Sequence, residues 1–169
     1  MITFENHPVR LEHINTRMER HGDDDEVLTM DLKLTADLPN TSLDEMSPTL
    51  RRSLYDPDED GDILDPDNTP NLRNPQLGTL RWSIKVERVW FSFVDPDEQE
   101  ALVAFSEAKF GRQVFTPKEG STVTHTWRLQ VHPQDKDVGA RILSYLHRPD
   151  LRGMLLKADY PDEDGEDDE

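Results

Sequence analysis

Cysteine is absent from the 169-residue sequence, which removes disulfides, thiol nucleophiles and Cys-ligated zinc or cluster sites at once. Long apolar runs are missing too. The N-terminal stretch MITFENHPVRLEHINTR holds no apolar core of the kind a secretory leader needs, and no run of about 18 apolar residues occurs anywhere. A soluble, cytoplasmic protein is therefore expected, with no membrane contact. Apolar residues make up 34% of the chain, and counting glycine brings the share to about 39%, below the ~45–50% usual for globular domains. Some segments must lie outside the core, although the length suits one domain.

Acid is what the chain has in excess: 36 Asp and Glu against 19 Lys and Arg give a net charge of −17. The excess is regional. Residues 158–169 carry eight acids and no base, residues 56–67 carry seven and no base, and four more sit together at Asp23, Asp24, Asp25 and Glu26. The remaining body is close to neutral. Two regions are expected: a β-rich domain over 1–157 with a long acidic, Pro-containing loop at 56–78, and a disordered acidic tail at 158–169.

Within the body, period-two alternation dominates. Leu28, Met30, Leu32, Leu34 and Ala36 share one face of a half-buried strand. VRLEHINTRMER before it is extended with a change of parity, which predicts a bulge, and HGDDD joins the two as a hairpin. TSLDEMSPTLRRSLY predicts a short helix in two pieces, with Ser42–Glu45 or Ser47–Pro48 as its start. Four prolines leave no regular element over 56–79. Beyond it, Leu80, Trp82, Ile84 and Val86 alternate with Arg81, Ser83, Lys85 and Glu87, and RVWFSFV is apolar on both faces. ALVAFSE and RQVFT follow as two strands with a turn near Gly111; TVTHTWRLQV is a strand with Val123, His125, Trp127, Leu129 and Val131 inward. DVGARILSYLHR is a helix capped by Asp135 or Asp137 with Val138, Ile142, Tyr145 and Leu146 inward, and RGMLLKA closes the domain. The fold class is mainly β (α+β): an antiparallel twisted sheet, as a sandwich or small open barrel, with two short peripheral helices.

The nearest thing to a chemical signature is DPDEDGDILDPD. Counting from Asp56, it places Asp56, Asp58, Asp60, Asp62 and Asp67 at calcium-loop positions 1, 3, 5, 7 and 12, with Gly61 at 6. Position 12 is Asp rather than the bidentate Glu, and Pro66 leaves no exiting helix. A solvated acidic insertion is the favoured reading, with Ca²⁺ as the alternative and no other cofactor. In the tail, Asp162, Glu163, Asp164, Glu166, Asp167 and Asp168 are candidates for recognising a protein partner with a basic surface. Arg81, Lys85 and Arg128 lie on outward strand faces beside a threonine stripe, but Trp82 and Trp127 fall on the inward parity, so stacking on bases lacks a platform there. None of the six histidines forms a metal-binding spacing or sits beside a serine with a nearby Asp, and His125 is expected as a hydrogen-bonded, semi-buried residue. No enzyme is indicated.

The arrangement VRLEHINTRMERHGDDDEVLTMDLKLTADLPN, then LDEMSPTLRRSLYD, the acidic stretch and NPQLGTLRW, resembles a group of small early-region proteins of tailed bacteriophages and prophages. That resemblance implies an accessory of DNA metabolism and supplies no catalytic residue. The leading expectation is a non-enzymatic binding protein acting in DNA replication or recombination through protein partners. An acidic mimic of DNA that inhibits a host defence or repair enzyme, a calcium-binding module, and a single-stranded-DNA-binding protein are the alternatives.

Overall fold

The computed structural model describes residues 1–22, 25–58, 68–94, 96 and 101–158. Seven strands form one antiparallel sheet: β1 (Phe4–Pro8), β2 (Arg10–His21), β3 (Asp25–Pro39), β6 (Leu80–Val94), β7 (Ala101–Lys118), β8 (Thr122–Val131) and β9 (Arg152–Lys157). A two-stranded pair, β4 (Tyr55–Asp56) and β5 (Asn71–Leu72), stands apart from it. Helices α1 (Ser42–Met46), α2 (Leu50–Leu54) and α3 (Lys136–Ser144) complete the described residues, with a 3₁₀ turn at Pro75–Leu77.

The strand order is β1-β9-β6-β7-β8-β3-β2, so the two edge strands are consecutive in sequence and only Val9 separates them. A flat sheet cannot satisfy that connection. The sheet must coil until its edges approach, which long, right-twisted strands do readily. His7 Nε2 on β1 lies 2.8 Å from the Asp37 carbonyl on β3, and the Phe4 ring stands 5.7 Å from that of Trp127 on β8. The result is an open barrel rather than a sandwich, since β1 and β2 are not hydrogen-bonded to each other into a closed ring.

Inward residues fill the barrel by alternation. Met30, Leu32, Leu34 and Ala36 from β3, Phe91 and Phe93 from β6, Phe110 from β7, and Trp127 and Leu129 from β8 are all buried. Helix α3 plugs one end: Asp135 caps it by accepting from the Val138 amide at 2.8 Å, Ile142 is buried, and Tyr145 packs 5.0 Å from Phe93. At the other end α1 and α2 cover a second cluster of Leu43, Leu54, Tyr55, Phe115 and Val123. The Tyr55 hydroxyl donates to the Lys118 carbonyl at 2.8 Å and accepts from the Lys118 amide at 3.0 Å, pinning the β7–β8 hairpin; burial pushes its pKa up to about 12.

Several expectations change. The parity shift in β2 is a bulge at Glu12, as expected, because Leu11 pairs with Leu34 and His13 with Lys33. No turn forms at Gly111; β7 runs through it, held by ladders on both sides. Among the described residues the helices number three, and the α1 and α2 caps are Thr41 and Thr49, neither with a side-chain cap bond, so the Ser42–Glu45 and Ser47–Pro48 starts are both replaced. Residues 71–72 pair with 55–56 inside the stretch expected to be irregular. Leu146 is exposed instead of inward, because the helix ends at Ser144 and the chain turns away. Of the β6 segment expected to be buried on both faces, Trp90 stays half-exposed on the outer side.

Candidate anion-binding face

Register brings cations together on the outer face of the sheet. Lys85 pairs with Gly111, Gly111 with Arg128, Arg128 with Lys33 and Lys33 with His13, so one row crosses five strands with basic groups on both sides of a glycine. A neighbouring row runs Arg81, Val114, Thr126, Thr35 and Arg10. At about 4.8 Å between strands, Lys85 and Lys33 stand roughly 14 Å apart. Gly111, with no side chain, leaves the floor between Lys85 and Arg128 bare.

The ladders on both sides of β7 break after Gly111, resuming at Gln113 toward β6 and at Val114 toward β8, and Arg112 there adopts φ of 50°. That left-handed conformation is uncommon for a side chain other than Gly or Asn and costs on the order of 1 kcal/mol. Two hollows, of about 420 Å³ and about 660 Å³, open on this face. Both are lined by Lys85, Arg112 and Arg128, so they form one groove, the first extending to Arg17 and Lys109 and the second to Lys33 and Arg81.

Charge pairing divides these cations in two. Arg17 is held by Asp31 and by Glu19, whose carboxyl the Arg17 hydrogen bond keeps below its ordinary pKa. Lys33 lies 3.4 Å from Glu12, and Lys109 lies 3.2 Å from Glu87. Arg81, Lys85, Arg112 and Arg128 are exposed and, among the described residues, have no carboxylate partner. Asp31 and Glu87 also line the groove, each beside its own cation, so the four cations without a described carboxylate partner leave a local excess of positive charge there in a chain with 36 acids.

Sequence parity had placed Arg81, Lys85 and Arg128 outward, and they are. Arg112 was missed because a turn was expected at Gly111; a run of extended residues on both sides of the glycine was the available signal. Trp127 is buried, as its parity required, and Trp82 is half-buried against the second cluster. Among the described residues Trp90 is the aromatic that reaches the outer side, in a hollow of about 440 Å³ with Met154, Leu156 and Ala158.

The acidic candidates are only partly placed. Asp56 sits in β4 and its carboxylate lies 3.0 Å from Arg73, while the chain enters from a five-residue helix in place of a long one. Asp58 is exposed; Asp60, Asp62 and Asp67 lie outside the described residues, as do Asp162, Glu163, Asp164, Glu166, Asp167 and Asp168. Among the described residues no group of three His, Cys, Asp or Glu side chains could hold a metal ion.

One buried trio needs separate treatment. Ser42 Oγ lies 2.9 Å from His125 Nε2, and Gln113 Nε2 lies 3.2 Å from His125 Nδ1. A serine beside a histidine was not expected. Both ring nitrogens of His125 are thus in hydrogen bonds, and Nδ1 meets an amide rather than the carboxylate that supports an imidazolium in a serine–histidine pair. Burial lowers the pKa of His125 to about 4, and all three residues are buried. The trio ties α1 to β7 and β8.

Among the described residues no helix is long and apolar enough to cross a membrane. No protein-family model, no curated protein and no solved structure matches the chain.

Proposed function

We propose that the chain is a non-enzymatic accessory of phage-type DNA metabolism that holds the phosphodiester backbone of nucleic acid in the groove across β6, β7, β8 and β3. The observation that carries this reading is the set of four exposed cations, Arg81, Lys85, Arg112 and Arg128, that have no carboxylate partner among the described residues of a chain of net charge −17. Exposed cations are hydrated at little cost, but gathered on one face they set up a local positive field that attracts a polyanion. The sequence put a protein partner first; the groove moves direct contact with nucleic acid ahead of it. Trp90, on the outer side of β6 beyond Lys85, offers a face to an unstacked base and favours a single strand over a duplex.

Fluorescence anisotropy with labelled single strands over a salt series tests this. Four phosphate contacts give log K against log salt a slope of about −3, and replacing any one of the four by Ala lowers the slope by about 0.7. Absence of binding at about 50 mM salt, or a slope indifferent to all four substitutions, would sink the proposal.

A further inference from the structure

We infer that β2 is a homodimerisation edge, along which two copies of this chain join their sheets into one, antiparallel and centred on Thr16. The inference stands apart from the nucleic-acid reading. β2 is the last strand of the sheet, twelve residues long, and among the described residues no strand lies on its far side. An open edge of this length is a ready template for another strand. β2 holds no proline past the bulge at Glu12, and among the described residues the segment after α3 bonds its backbone before the bulge, where the His147 amide donates to the Leu11 carbonyl at 3.0 Å, while Gly139 of α3 lies against Leu28 of β3.

Beside this edge the surface is apolar. Met18 is 56% exposed, and Leu143 and Leu146 of the α3 segment are 51% and 36% exposed. Leu143 lies one turn on from Gly139, between the contacts with Leu28 and Leu11, so the exposed leucines follow the strand. Three of the four large apolar side chains most exposed among the described residues thus belong to one border.

The occupant follows from the pattern of β2 itself. Faces alternate along the strand, so a two-fold pairing must centre on a residue, with opposite residues on the same face. Centred on Thr16, Ile14 of one protomer meets Met18 of its partner on the inner side, Asn15 meets Arg17 and His13 meets Glu19 on the outer side, and no like charges oppose. Centring on Asn15 sets His13 against Arg17 and Glu12 against Met18. Centring on Arg17 sets two guanidinium groups against each other. Centring on Met18 also opposes no like charges, setting Arg17 against Glu19, but it leaves Ile14 facing no strand residue and Thr16 against Arg20. The Thr16 register is preferred because it alone makes the apolar Ile14–Met18 contact twice, and the axis, normal to the sheet, leaves both outer faces on the same side. Arg17 lines the groove, so the two grooves meet at the seam.

The absence of cysteine makes the register directly testable. Residues facing across an antiparallel pair have Cα atoms about 4.5–5.5 Å apart, within disulfide range. Under mild oxidation Thr16→Cys should cross-link to a dimer and Asn15→Cys should not. Light scattering should give twice the chain mass for the unmodified protein, and Met18→Glu should weaken association roughly tenfold or more with an unchanged circular dichroism spectrum. A unit mass at the highest soluble concentration, or cross-linking through Asn15→Cys in place of Thr16→Cys, overturns the proposal. Nucleic-acid affinity does not enter any of these readouts, so they fail or succeed separately from the groove.

Discussion

At the scale of single residues, His125 sets how the protein responds to acid. Its folded pKa is near 4 because burial disfavours the imidazolium, whereas in the unfolded chain it returns to about 6.5. Between those values the unfolded state binds more protons, so stability falls as pH drops from about 6.5 to about 4 and this contribution levels off below. The full difference corresponds to about 3 kcal/mol as an upper bound. His125→Gln keeps a side chain able to bond Ser42 and Gln113 but does not titrate. Its urea midpoint should therefore change little between pH 6.5 and pH 4.5, where that of the parent falls; a parallel fall in both would place the acid sensitivity elsewhere. Carboxylates held low by partners act later. Burial would raise Asp37, but bonds from Thr124 and Arg10 more than offset it, so its contribution is lost only below the ordinary carboxylate range.

Among the elements, β7 carries the site because of what interrupts it. Gly111 reads as a turn in isolation, and the strand continues only because β6 and β8 pair with it on both sides, a tertiary effect that local pattern does not contain. The same limit applied to the loop, where Tyr55–Asp56 finds Asn71–Leu72 across a stretch rich in proline. Alternation, by contrast, is dictated by the pleat itself, so the inward faces of β3 and β8 and the outward Arg81, Lys85 and Arg128 were legible from the sequence. What made Arg112 a groove residue, its left-handed backbone beside the bare Gly111, was not. A substitution pair tests that conformation: Arg112→Gly should be more stable than Arg112→Ala by about 1 kcal/mol, since only the first accepts a positive φ without strain. That is about 2–4 °C in Tm for a domain of this size. Both variants lose one phosphate contact, so their nucleic-acid affinities should match. Equal melting temperatures would mean that Arg112 is not held in the left-handed region.

For the whole molecule, the question is how a chain of net charge −17 presents a cationic groove to a polyanion. Segregation is the physical answer, and it is incomplete at one place. Lys157 pairs with Val89, and Val89 with Ala108, the neighbour of the groove residue Lys109, so Lys157 lies about two strand spacings, roughly 10 Å, from the groove. That is comparable to the Debye length at about 0.1 M salt, so carboxylates that stay close to Lys157 act on an approaching phosphate. Removing residues 159–169 changes the net charge from −17 to −9. Affinity for a single strand at about 50 mM salt should rise severalfold, and the gap to the full chain should close at about 300 mM, where screening shortens the reach of the charges. If truncation leaves low-salt affinity unchanged while Lys85→Ala and Arg128→Ala lower it, the acids lie beyond electrostatic reach of the groove. They are then available to a basic protein partner at the same time as the nucleic acid is held.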